Sequence, residues 1–205
     1  MGYVYWMKKR LHEVAIGVQQ AQAQGLALKA VGSVMVLYDP KGLLAGLQSD
    51  EQDADELSSS IYGFLEVKQP GGKDKCWNAY MVRTVAAQNG YGPLMYDMAM
   101  QVYGRIMPDR NQVTPAAAAI WKYYIEKRGD VEKFKFDDVT APETPDTQDD
   151  CTLHYDNPEL NYAIGGGGQD VSGLRKNHEE FIRAGGPTAD HLLDSAADAF
   201  FRRMY

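Results

Sequence analysis

The residues of this chain best suited to chemistry, by type and spacing, lie in the run Val82-Arg-Thr-Val-Ala-Ala-Gln-Asn-Gly90-Tyr-Gly92-Pro-Leu-Met-Tyr96. A stretch rich in β-branched residues gives way to two closely spaced glycines, and Pro93 then sits where a helix would begin. The run reads as strand, tight turn and helix. Such a turn points several backbone N–H groups at one spot and adds the positive end of a helix macrodipole, which is how proteins hold a pyrophosphate. Glycine is required there because a Cβ would block the close approach of a phosphate. No Lys-Ser/Thr pair follows, so the run is not a Walker loop, and a dinucleotide fingerprint would need a third glycine and a later acidic residue. The residues alone leave two readings open: an anion cradle, or a strand-to-helix turn that uses glycine only for its geometry.

The elements that would position this turn can be read on either side of it. Lys8 to Gln24 carries Leu11, Val14, Ala15, Val18 and Ala21 at helical spacing, with Gly25 placed to end it. Leu28 to Tyr38, a short Leu43–Leu47 run, Ile61 to Lys68 and Cys76 to Ala86 are strand-like. The polar, acidic segment from Ser49 to Ser60 reads as a mobile loop, and Gln69-Pro-Gly-Gly72 as a turn. Helical patterns follow over Pro93–Tyr103 and over 115–127, the second opened by Thr114 as cap and Pro115 in the first turn. Residues 130–159, with three prolines, read as an extended excursion, and Gly165–Gly168 as a hinge. Val171–Ala184 and Ala189–Met204 close the chain as helices. Phe200 and Phe201 carry enough apolar surface to dock the last of these on the body or on a second subunit. The expected fold is α/β, a mixed sheet flanked by helices, divided into a domain at 1–136 and an extension at 137–205.

Charge narrows the partners. The 205 residues hold 21 basic and 28 acidic side chains, a net charge of −7. Residues 130–159 alone account for −8, while residues 1–129 sum to +2 and show no basic stripe of the kind that tracks a phosphate backbone. Nucleic acid is therefore disfavoured as a partner. No apolar run reaches the ~20 residues of a spanning helix, so no membrane partner is expected. Cys76 and Cys151 are too few for a disulfide framework or a structural zinc site. Cys76 reads as buried and inert, and a reducing cytoplasm as the default compartment.

With these elements in place, Val85-Ala-Ala-Gln-Asn-Gly90-Tyr-Gly92-Pro-Leu-Met95 resembles the acyl-CoA-binding motif of the GNAT (Gcn5-related N-acetyltransferase) superfamily. Tyr62-Gly-Phe-Leu65 resembles the strand that commonly precedes the motif. Pro115-Ala-Ala-Ala-Ala-Ile120-Trp-Lys-Tyr-Tyr124 resembles the helix that often carries the family's tyrosine. The order of elements agrees over roughly residues 28–136. Met107-Pro-Asp-Arg110 and Asp149-Asp-Cys151 are also similar to acetyltransferase-like proteins encoded by bacteriophages, which would place the protein in an infected cell or in a virion. The chain departs from the family pattern in three ways. Ala87 or Asn89 stands where the motif has Gln or Arg, the strand Trp77–Val85 lacks a carboxylate, and the last 60 or so residues have no counterpart in the minimal fold.

The resemblance implies transfer of an acetyl group from acetyl-CoA, as cosubstrate, to a small-molecule or protein amine. It places the pantetheine arm along Val82 and Val85, and the pyrophosphate on the amides of Asn89, Gly90, Tyr91 and Gly92. Tyr124, with Tyr123 second, would protonate the leaving thiolate, and Glu66 or a water would keep the amine neutral. Each has a plainer alternative: two aromatics packed beside Trp121, and a solvent-facing carboxylate. No metal is expected, because Asp149-Asp150-Cys151 with His154 is neither a hard nor a soft ligand set. The rival to an enzyme is a non-catalytic GNAT-like structural or assembly protein, making its contacts, or a homo-oligomer, through the C-terminal helices.

Overall fold

Two burial periodicities build the molecule, period two along its strands and the helical period along the segments that cover them. The structure, a computed structural model, describes residues 15–47, 57–69, 76–109, 113–167 and 170–204. Helix α1 (Val18–Ala23) ends at Gly25, whose φ of +77° reverses the chain into β1 (Ala27–Val31). Then come β2 (Val34–Tyr38), α2 (Pro40–Leu47), β3 (Ile61–Lys68), β4 (Tyr80–Ala87), α3 (Gly92–Tyr103) and β5 (Ile106–Pro108). Helix α4 (Pro115–Lys127), β6 (Glu132–Lys135), β7 (Asp137–Asp138), β8 (Asp150–Cys151), β9 (Tyr162–Gly165) and α5 (Ser172–Met204) complete the order. The mixed central sheet has seven strands in the order β1-β2-β3-β4-β5-β9-β6, and β7 and β8 form a separate parallel pair. Within the large sheet only β4 and β5 run parallel.

Each face of the sheet has its own apolar layer. On one, Leu28, Met35, Leu65, Val67 and Val82 meet α1, α3 and α4. Gly63 belongs to this side because Met95 of α3 presses against its Cα, where a Cβ would collide with the Met95 sulfur. On the other face, Ala27, Val36, Tyr38, Ile61 and Ala86 meet α2 and both halves of α5 through Leu43, Phe181, Leu193 and Phe200. Helix α5 is broken at Gly186, with φ +61°, and so follows the expected pair of closing helices. It docks on the body of the same chain. No helix among the described residues is long and apolar enough to cross a membrane.

Several expectations need correction. Leu28–Tyr38 is two strands, folded back at Gly32 with φ +57°, rather than one. Leu43–Leu47 is the end of helix α2, because Pro40 can open a helix but cannot propagate a strand ladder. Cys76–Asn78 is a single 3-10 turn preceding β4, with Trp77 and Asn78 at φ of +53° and +52°. The stretch after residue 136 also contributes a strand to the sheet. Its strand β9 lies between β5 and β6. Cys76 and Cys151, 75 residues apart in sequence, form a disulfide that ties β8 to the start of β4. Residues 8–14, most of 49–60 and the 70–72 turn lie outside the described residues.

Helix α5 is pinned to β1 and β2 by polar contacts as well as apolar ones. Lys29, itself buried, places Nζ 2.6 Å from Asp194 and 2.9 Å from Asp190. The Tyr38 hydroxyl lies 2.7 Å from His178 Nδ1. Burial, with help from Lys29, holds the His178 imidazole below its ordinary range, while Asp190 and Glu179 pull the other way. A His whose folded pKa is depressed adds stability that is intact above about pH 6.5 and is lost as pH falls through the folded value. Protonation also converts Nδ1 into a donor and removes an acceptor for Tyr38. The urea midpoint should therefore fall between pH 7.5 and pH 5, and His178→Gln should flatten that slope. Parallel pH profiles for the two proteins would contradict this assignment.

Candidate functional site

The site begins where β5 stops. Tyr80, Met81 and Val82 pair with Ile106, Met107 and Pro108, and there β5 ends. Pro108 has no N–H to extend the ladder. Strand β4 continues to Ala87, held by β3 on its other side through Thr84, Val85, Ala86 and Ala87. Five residues of strand, about 16 Å at the usual rise, thus run on past the last β5 partner. The register of β3 against β4 slips between Glu66 and Val67, so Arg83 is the extra, bulged residue at the point where the strands part.

A groove of about 470 Å³ fills this opening. Its floor is β4 from Val82 to Ala87. One wall is α4, where Thr114, Ala116, Ala117 and Ile120 line the space, and Gly92 and Tyr96 of α3 close the end. The wall stands open because 115–119 is a Pro followed by four alanines, short side chains that leave room beside the strand. Thr114 fixes the start of that helix, its Oγ1 accepting from the Ala117 amide at 3.2 Å. The two turn glycines do different work. Gly90 has φ +91°, a conformation other residues avoid. Gly92 needs no special backbone, and a Cβ there would meet nothing closer than Ile120 Cδ1 at 3.7 Å. Gly92 provides space at the groove.

The expected cofactor residues fall into three groups. Val82, Val85 and Gly92 line the groove. Asn89 and Gly90 sit in the turn at its end, and their amides take no protein acceptor among the described residues. Tyr91 faces inward: its amide donates to the Gln88 carbonyl, its hydroxyl donates to Gln24 at 2.8 Å and its ring packs edge-on to Tyr62.

Neither expected catalytic side chain lines the groove. The Tyr124 ring is wholly buried, and its hydroxyl lies 2.8 Å from both Asp97 Oδ1 and the Pro93 carbonyl. Burial pushes this phenol well above its ordinary range, with the Asp97 carboxylate adding to the effect. Such a hydroxyl positions α4 against the start of α3. Tyr123 packs edge-on against it. Glu66, one third exposed, lies 3.5 Å from Arg83 on the far face of the sheet. Of this pair only Arg83, the bulged residue, lines the groove.

Sequence reasoning overlooked two features. Asp97 and Arg128 meet at 3.1 Å beneath Tyr124, and Arg128 also grips Asp130 through two nitrogens. Burial raises the Asp97 carboxyl while Arg128 and Tyr124 pull it down. The signal was one acidic residue in a helix that holds no other charge. Second, Met204 from the end of α5 reaches the groove from the opposite face.

Elsewhere, Asp137, Asp149 and Asp150 bring carboxylate oxygens within 4.8 Å of one another. The Asp137 carboxylate already accepts from the amides of Asp138, Glu143 and Thr144, and Asp149 accepts from the Thr144 hydroxyl. Burial and then repulsion from Asp149, Asp137 and Asp146 raise the Asp150 carboxyl. Cys151, being bridged, offers no thiolate there. Comparison with known proteins finds no matching family model, no matching curated protein and no matching solved structure.

Proposed function

We propose that the groove beside β4 binds an acyl-CoA thioester and that the protein is an acyl-CoA-dependent N-acyltransferase of the GNAT type. The observation that carries this reading is the parting of two parallel strands at Val82 and Pro108, next to a glycine turn that leads into a helix. A strand edge of this kind suits an extended amide-bearing chain such as pantetheine, which can pair with backbone as a strand would. The turn supplies the amides of Asn89 and Gly90 and the positive end of α3 to a pyrophosphate. With a thioester bound, the chemistry is attack of a neutral amine on the acyl carbon and expulsion of the CoA thiolate. Strand β4 would orient the thioester, and Glu66, ion-paired to the lining residue Arg83 but not itself lining the groove, would draw a proton from the amine through water. Tyr124, held by Asp97, does not serve as the acid.

That last point favours a second reading. A GNAT-like domain whose expected acid, Tyr124, is buried away from its groove, with a long C-terminal helix docked on the sheet, could serve as a structural or assembly protein. Calorimetric titration with acetyl-CoA separates the two. The enzyme reading expects micromolar binding, weakened at least about 100-fold, roughly 2.7 kcal/mol, by Gly92→Trp, whose indole would fill the groove. No heat at millimolar acetyl-CoA would support the structural role.

A further inference from the structure

Helix α5 crosses the sheet strand by strand. Asp190 and Asp194 meet Lys29 on β1, and Phe201 stacks on Phe64 of β3 with ring centroids 5.5 Å apart. One turn later Met204 arrives at the gap between β4 and β5 and lines the groove. Phe64 is paired with Ala86, and Ala86 faces α5 while also lining the groove, so Met204 approaches past this pair of strands. The groove is thus bounded on one side by α3 and α4 and, among the described residues of α5, on the opposite side by the half-exposed side chain of Met204. Phe200 is buried and Phe201 partly so, which anchors the preceding turn. Arg202 and Arg203 are exposed, and among the described residues of α5 Met204 is the one that lines the opening.

We propose that Met204 sets the width of the groove on the α5 face, and thereby its selectivity for slender, unbranched chains. The proposal rests on the groove being the substrate site and adds which residue limits what enters it. A thioether is suited to this task, being unbranched and able to fill an irregular gap without fixing its shape. An acyl chain or acceptor amine passing along β4 from the Arg83 bulge would have to share this space with the Met204 side chain.

The test uses the full chain with Ala86→Cys, a small change at a lining position, and compares modification by a small methanethiosulfonate with that by a bulky maleimide. With Met204 in place the small reagent should outpace the bulky one by about tenfold more than the same pair does on a free cysteine, a difference of about 1.4 kcal/mol. Met204→Ala should abolish the size discrimination, and Met204→Trp should slow both reagents. The same ratio in all three proteins would overturn the proposal. Should Ala86→Cys fail to fold, hydrogen exchange of the Arg83–Ala87 amides in the Met204 variants alone decides the matter, with faster exchange for Ala and slower for Trp expected and no difference contrary. Labelling and exchange involve no acyl-CoA. Absence of acetyl-CoA binding would therefore remove the acyltransferase reading without deciding whether Met204 controls access.

Discussion

Breaking the Cys76–Cys151 bridge should destabilise the protein by about 4.5 kcal/mol, the chain-entropy value for a loop of this length. The bridge closes a 75-residue separation that contains β4, α3, β5, α4 and β6, every element that shapes the groove apart from the end of α5. It also sits in a small apolar cluster with Ala79, Met107, Phe136 and Ala163, so the reduced thiols would stay buried and the loss would be felt through the unfolded chain. Urea unfolding with and without reductant measures it, and Cys76→Ser with Cys151→Ser should reproduce the reduced midpoint. The oxidised protein should show no reactive thiol when denatured and two after reduction. Identical midpoints with and without reductant would show that the bridge contributes nothing.

The second large effect lies beneath Tyr124. Removing one partner of a buried ion pair leaves the other charge uncompensated, at a cost of about 3–5 kcal/mol. Arg128→Ala does this to Asp97, whose side chain is only 12% exposed. It also strips the guanidinium from the Tyr124 ring, over which it sits 5.0 Å from the centroid. Arg128→Lys should recover only part of the loss, because an ammonium cannot reach Asp97 and Asp130 together. Asp97→Asn combined with Arg128→Met should cost less than the sum of the single changes, which identifies the pair as coupled. Strict additivity would mean that the two side chains stabilise the fold independently. Tyr124→Phe should cost less, about 1–2 kcal/mol, and should change ligand binding only through the fit of α4 against α3.

What could be read in the chain beforehand was local. The strand Ile61–Lys68 and helices 93–103 and 115–127 carry their own periodicity and their own punctuation, in Pro93, Thr114 and Pro115, and the structure follows them closely. The glycine turn was legible because Gly90 answers a backbone requirement, and Gly92 a need for space, that sequence displays directly. Contacts between distant segments were not. Cys76 finds Cys151 across 75 residues, β9 enters the sheet beside β5, and Met204 reaches the groove only because α5 crosses three strands first. Leu43–Leu47 misled because a short apolar run carries no period of its own, and Pro40 settled it as helix. Tyr124 matched by position on its helix, yet the face it occupies is set by Asp97 on another helix.

The claim on which the functional account depends is that β4 and the glycine turn form a binding surface, and amide resonances of the labelled protein test it residue by residue. Addition of acetyl-CoA should shift the amides of Arg83 to Gly92 and those of Val113 to Trp121 along the groove. The amides of Ala27 to Lys29 and of Val34 to Val36, at the far edge of the sheet, should stay in place. Shifts confined to other surfaces, or none at millimolar acetyl-CoA, would contradict an acyl-CoA site in this groove.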